Sequence, residues 1–355
     1  MNQKIEEILK FALVNKASDI HLLFGVLPKI RVNGELRNVD GFTEVDNNLI
    51  EEMVLSLLTD KQKEDFKNQR ELDFSFEAAE NRFRCNVYFQ KGSPACALRL
   101  ISSQIPAFEE LGIPDILRTF ANYKQGFILV TGPTGHGKST TVAAILDEIN
   151  RTRAAHIVTI EDPVEYLIKP DKSIISQREL GNDTNSFDLS LRSCLRQDPN
   201  VVFVGEMRDL ESISSALTIA ETGHLVFSVL HTNSASQTID RIIDVFPAES
   251  KDEIKVQLAS AITAIVSQRL VPTINGERVP AFEILIATPA VKNIIREGKT
   301  FMIDNIIQTS ADLGMVSLET SLAKLVLAGK ITEEVALSFC TSQVDLENKL
   351  RRQKI

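Results

Sequence analysis

The chain has 355 residues, more than the roughly 100–200 of one ordinary domain, so two domains are expected. A hydrophobic fraction of 43% and a charged fraction of 25% are those of a folded globular protein and exclude extended disorder. A net charge of −9 excludes attachment to nucleic acid or anionic lipid through the overall field, leaving only local patches for such contacts.

At the N-terminus, Ile5, Ile8, Leu9, Ala12 and Leu13 fall on one face at helical spacing, which predicts an amphipathic helix. Charges interrupt this apolar stretch, so it lacks the continuous core of a signal peptide. No later apolar run reaches the ~18 residues of a membrane span, and the expected location is cytoplasmic, at most peripheral to a membrane. The period then changes to that of strands over 19–24 and 29–32, with Asn33-Gly34 supplying a tight hairpin turn. A helix is predicted over 48–58, and strands over 81–89 and 95–100 flank the turn Lys91-Gly92-Ser93-Pro94. Residues 1–100 thus read as a small α+β domain, followed by an aperiodic linker over 101–114, ISSQIPAFEELGIP.

From Phe127 onward, the short apolar runs FILV, HIVTI, VVFVG and LVFSVL alternate with helical stretches. That is the pattern of parallel strands buried under crossover helices, and residues 115–355 read as a doubly wound α/β domain with a helical region from about 289. The four cysteines, Cys85, Cys96, Cys194 and Cys340, show no Cys-x-x-Cys spacing and predict reduced thiols and no zinc site.

The strongest chemical signal is GPTGHGKST, comprising Gly132, Pro133, Thr134, Gly135, His136, Gly137, Lys138, Ser139 and Thr140. It fits the G-x-x-x-x-G-K-[ST] loop between a strand and a helix. The glycines let backbone N–H groups turn inward on a phosphate, and the helix that follows adds its positive end. Lys138 would hold the β- and γ-phosphates and Ser139 would bind Mg²⁺, so ATP and Mg²⁺ are the expected ligands. His136 occupies a free position and is expected to be exposed and silent.

Beyond the loop, HIVTIEDPVEY brings Glu161 and Asp162 to the C-terminal edge of a core strand, where open α/β sheets gather ligands. Either can orient or deprotonate an attacking water; either can instead cap the turn before Pro163. VVFVGEMRD places Glu206 after a buried run, in position to bind Mg²⁺ through water. Arg196 and Arg208 flank that strand as arginine fingers or as surface ion-pair residues. His224 and His231 bracket LVFSVL, and a histidine at a strand end beside the phosphate can sense it.

With these motifs in hand, the chain resembles the secretion-superfamily ATPases nearly end to end, and among them the type IV pilus retraction ATPases. Their Walker A, Asp box, atypical Walker B and His box look like GPTGHGKST, TIEDPVE, VVFVGEMRD and ETGHLVFSVLHT here. The resemblance implies a PAS-like N-terminal domain and a RecA-like ATPase domain. It also implies that Glu161 is the general base, that Glu206 serves Mg²⁺ and water, and that His231 contacts the γ-phosphate. Arg196 and Arg208 then complete a site within one subunit or from its neighbour. As partners it implies a homohexameric ring and an inner-membrane pilus platform protein. Hydrolysis coupled to interdomain motion would drive pilus retraction and twitching motility.

The retraction branch is favoured over pilus-assembly and type II secretion ATPases by three features. The chain lacks their long extra N-terminal domain and their tetracysteine zinc insertion, and PAVKNIIREGKT, residues 289–300, looks like a helical segment of retraction ATPases. The competing readings are an assembly or secretion ATPase, a non-catalytic ATP-gated regulatory subunit, and a DNA-translocating motor. The last is disfavoured by the acidic balance and the lack of a basic, aromatic strip.

Overall fold

The structure, a computed structural model, describes residues 1–352 apart from Asn33, Glu80, Ser102 and Ser103; of Arg352 it describes the backbone alone. Asn33 of the expected hairpin turn, and Ser102 and Ser103 of the expected linker, lie outside the described residues. The chain divides into two compact units, Met1–Gln104 with Glu165–Leu167, and Ile105–Val164 with Ile168–Ile355.

In the first unit, strands β1 (Asp19–Leu22), β2 (Lys29–Val32), β3 (Glu35–Asn38), β4 (Glu71–Ala78), β5 (Asn81–Gln90) and β6 (Ser93–Ile101) form an antiparallel sheet in the order β3-β2-β1-β6-β5-β4. Helix Gln3–Val14 starts at Asn2, whose side chain accepts the Lys4 N–H, and buries Ile5, Ile8, Leu9 and Ala12. These pack with Met53 and Val54 of helix Asn47–Leu57 and with Val87 and Leu98 of the sheet. Helix Asp60–Gln69 and strand β4 have no counterpart among the predicted elements, whereas β3 is the returning strand of the expected hairpin. The helix buries only Phe66, so it shows no apolar stripe, and it is secured by a capping box between Thr59 and Gln62.

The second unit is built on β7 (Gly126–Thr131), β8 (His156–Glu161), β9 (Ile174–Glu179), β10 (Val201–Val204), β11 (Leu225–Leu230), β12 (Ile262–Pro272) and β13 (Arg278–Ile286). Their order is β13-β12-β7-β11-β10-β8-β9, parallel throughout except for β13, which runs antiparallel to β12. Every residue of β7, β10 and β11 is buried, as expected for strands covered on both faces. Along β7 the side chains alternate between two cores. Phe127 and Leu129 face the helices Leu210–Glu221 and Ala235–Asp244, while Ile128 and Val130 face the helix Lys138–Thr152.

Phe108 and Ile113, from the stretch between the sheets, are buried in this second core. After β13 the chain continues in helices Pro289–Glu297, Ile303–Thr309, Leu318–Leu327, Glu333–Phe339 and Gln343–Arg352. Among the described residues no helix is long and apolar enough to cross a membrane.

Candidate functional site

The sheet order fixes which motifs can meet. Adjacent strands stand about 4.8 Å apart, so the C-terminal ends of β11, β10 and β8 lie roughly 5, 10 and 14 Å along the sheet from the end of β7. His231 follows β11, Glu206 follows β10 after one glycine, and Glu161 ends β8. The three are therefore aligned on one edge at increasing distance from the loop that follows β7.

That loop is shaped by glycines at 132, 135 and 137, with φ of 140°, 77° and 78°. Gly132 has a second constraint, because a Cβ there would stand 2.2 Å from the backbone oxygen of Gln268. Gly137 is the N-cap of helix Lys138–Thr152 and brings no side-chain cap, so the first-turn N–H groups are left for another acceptor. Lys138 is buried, and its Nζ donates to the carbonyls of Gly132 and Pro133, both at 2.8 Å. A buried ammonium beside an uncapped helix start fits a phosphate group. Ser139 and Thr140 are half-buried on the same turn, and the Ser139 hydroxyl has no protein partner among the described residues.

From Lys138 a chain of polar contacts runs along the sheet edge. Lys138 Nζ and Thr134 Oγ1 each lie 3.3 Å from His231 Nδ1. His231 Nε2 is 3.0 Å from one Glu206 oxygen, and Arg208 Nη2 is 2.8 Å from the other. A neutral imidazole carrying its proton on Nε2 satisfies all of these, donating to Glu206 and accepting at Nδ1. Burial would raise the Glu206 carboxyl, but the Arg208 hydrogen bond and the positive charges of Arg208 and Lys138 hold it below its ordinary value. Gly205 eases the close approach of the two strand ends. A Cβ there would stand 3.1 Å from Glu161 Cα and 3.2 Å from the Ile160 carbonyl, so a side chain would push the ends of β10 and β8 apart by a few tenths of an ångström.

The remaining candidates sit in different surroundings. Glu161 is buried at 6% exposure and lies 3.4 Å from Gln177 Nε2, a donor on β9. Asp162 beside it is exposed. Arg196 lies just beyond helix Phe187–Cys194 and is exposed. His224 precedes β11, at the opposite edge of the sheet from His231, where Thr222 Oγ1 and the Ile219 carbonyl lie 3.0 and 3.1 Å from its Nδ1. The six residues of β11 separate the two histidines by roughly 20 Å, so His224 stands away from the phosphate loop.

His136 differs from expectation. It is half-buried, and its Nδ1 accepts the Leu270 N–H at 2.9 Å, while its carbonyl accepts Gln268 Nε2 at 2.9 Å. Burial, with the positive charges of Lys138, Arg278 and Arg269, holds the ring below its ordinary pKa, which suits an acceptor nitrogen. The β12–β13 hairpin that supplies these contacts was missed by the sequence reading. Gln268 also accepts from Thr141 Oγ1 at 2.7 Å, and Arg278 Nη1 reaches the Gly135 carbonyl at 3.5 Å. The available signal was Asn275-Gly276 between two β-like apolar runs, LVP and VPAFEILI.

Residues 1–325 match the profile of a family described as type II/IV secretion system protein. The chain is similar to the type IV pilus retractation ATPase PilT of Pseudomonas aeruginosa, at 45% identity over 333 residues covering 94% of this chain and 96% of that relative. It is also similar to a twitching motility protein of Neisseria gonorrhoeae, at 47% identity over 311 residues covering 87% and 83% of the two chains. Among solved structures, the crystal structure of the pilus retraction motor PilT with bound ADP superposes with a TM-score of 0.91 at 44% identity, covering 98% of this chain and 100% of that one. The architecture is the expected one, α/β with a small α+β N-terminal part and a RecA-like P-loop domain ending in helices. The match extends over nearly the whole sequence, and the chain belongs to the type II/IV secretion system protein family.

Proposed function

We propose that the chain is an ATP-hydrolysing motor subunit that powers type IV pilus retraction. The observation that carries this reading is the contact chain from Lys138 through His231 to Glu206 at the phosphate-loop edge, in a chain so similar to PilT. In this reading the loop N–H groups and the start of helix Lys138–Thr152 bind the phosphates, and Lys138 exchanges its two carbonyl partners for phosphate oxygens. Ser139 and Glu206 would hold a magnesium ion, directly or through water, which supplies positive charge to the phosphates. Glu161 takes the proton of the attacking water, and His231 responds to the presence of the γ-phosphate. Arg208, engaged by Glu206, serves its own subunit, while exposed Arg196 can reach the site of a neighbour.

The working form is a homo-oligomeric ring, a hexamer, acting at the cytoplasmic face on an inner-membrane pilus platform protein. Residues 1–100 form its PAS-like domain, 101–114 the linker and 115–355 the ATPase domain. Similarity to proteins named for pilus retraction and twitching supports this assignment over pilus assembly. The test is complementation of a bacterium that makes type IV pili but lacks its own retraction motor. The native chain should restore retraction and the Lys138→Ala variant should not; restored fibre assembly without retraction would overturn the reading.

A further inference from the structure

His231 is joined to helix Ala235–Asp244 by only three residues, and these are tied to the helix itself. Thr232 Oγ1 lies 2.7 Å from Thr238 Oγ1, and the Asn233 N–H donates to Gln237 Oε1 at 3.3 Å. The Thr238 hydroxyl also donates to the Ser234 carbonyl at 2.7 Å. Wherever the first turn of the helix is set, the segment carrying His231 is set with it. Besides its own Ser234 cap, that turn is met by a buried acid on another strand. Glu283 of β13 accepts the Ala235 N–H at 2.7 Å, at the first position of the helix.

We propose that Glu283 is a positioning residue for His231, its carboxylate docking the start of helix Ala235–Asp244 against the strand pair that also supports the phosphate loop. Glu283 is paired across the β12–β13 ladder with Ser267, whose Oγ lies 2.9 Å from Thr131 Oγ1, the last residue before the loop. One hairpin thus references both the phosphate loop and the segment that bears His231. Burial raises the carboxyl to about 7; the Ala235 N–H opposes this, Asp304 and Glu319 add to it, and Arg269 opposes it. Keeping an acid in so unfavourable a place calls for a return. A carboxylate on a helix N-terminus supplies one, because the bond is charge-assisted and directed along the helix dipole.

The kinetic part of the test rests on the motor reading, whereas the exchange part is independent of it. Glu283→Ala should speed amide hydrogen exchange over residues 231–238 while leaving residues 132–140 unchanged, in protein without nucleotide. It should lower kcat about tenfold with KM and ADP affinity within about twofold, the signature of a displaced group rather than a damaged pocket. Glu283→Gln, which keeps an acceptor, should recover most of the loss. Should Glu283→Ala fail to fold, Ala235→Pro removes the donated N–H at a helix position where proline is tolerated. Unchanged exchange over 231–238 would overturn the proposal, and so would a parallel loss of ADP binding in folded protein. Absence of turnover in the native chain would instead overturn the motor reading, and the exchange pattern would still decide the role of Glu283.

Discussion

His231 Nε2 lies 3.0 Å from the carboxylate of Glu206, which places the proton of the imidazole on that nitrogen and turns the other toward Lys138. The histidine and the glutamate form one hydrogen-bonded pair, and in the proposed mechanism they work together. His231→Ala and Glu206→Ala should each lower kcat by roughly 10²-fold, the scale of losing one oriented polar group in a site. The double variant should be little worse than the poorer single, because groups that work as a unit are not additive. A kinetic cycle on the four proteins measures this; fully multiplicative losses would separate the two roles.

Gly132 is fixed by both conformation and space. With φ of 140° and a Cβ position 2.2 Å from the Gln268 backbone oxygen, Gly132→Ala must displace either the loop or β12. The expected cost is about 2 kcal/mol or more, with nucleotide affinity lost as well. Thermal unfolding and binding of a fluorescent ADP analogue check it. The open position at Gly135 offers a contrast, since a Cβ there meets nothing within 4 Å and only its φ of 77° resists substitution.

His136 couples loop stability to pH. Its pKa is lowered from 6.5 in the folded protein, so the unfolded chain binds the proton more readily and stability falls as pH drops through 6.5. Replacement by asparagine should flatten this acid limb in melting temperature against pH. An unchanged limb would show that the ring does not contribute to it.

Glu283 has the opposite sign. Its pKa is raised from 4.5 to about 7, so its contribution to stability declines as pH rises from 4.5 toward 7. Asp304 and Glu319 strengthen the shift and Arg269 weakens it. Glu283→Gln should be more stable than the native chain at pH 8, by up to roughly 3 kcal/mol, with the difference shrinking by pH 5. Denaturant midpoints at the two pH values measure it.

The parts of this protein that can be read from the sequence are those whose chemistry is local. The spacing of Gly132, Gly137 and Lys138 encodes a loop conformation, and the runs at β7, β10 and β11 are apolar because both faces are covered. Helix Asp60–Gln69 was hidden because its stability comes from a cap and a single buried phenylalanine. The turn of the β12–β13 hairpin is legible at Asn275-Gly276, but where the hairpin docks was hidden for another reason. Its contacts to Gly132, His136 and Ala235 join residues more than 40 positions apart, and a single sequence carries no trace of such pairings. For the same reason the sequence could give His136 no role, since its partner Leu270 donates from the backbone.

The most direct measurement is steady-state ATP hydrolysis by the purified chain as a function of its concentration, with light scattering to follow assembly and Glu161→Gln as the control. The account predicts turnover that rises as rings form and is abolished in the control, which should still bind nucleotide. Turnover that is absent, independent of assembly, or unchanged in the Glu161→Gln chain would contradict it.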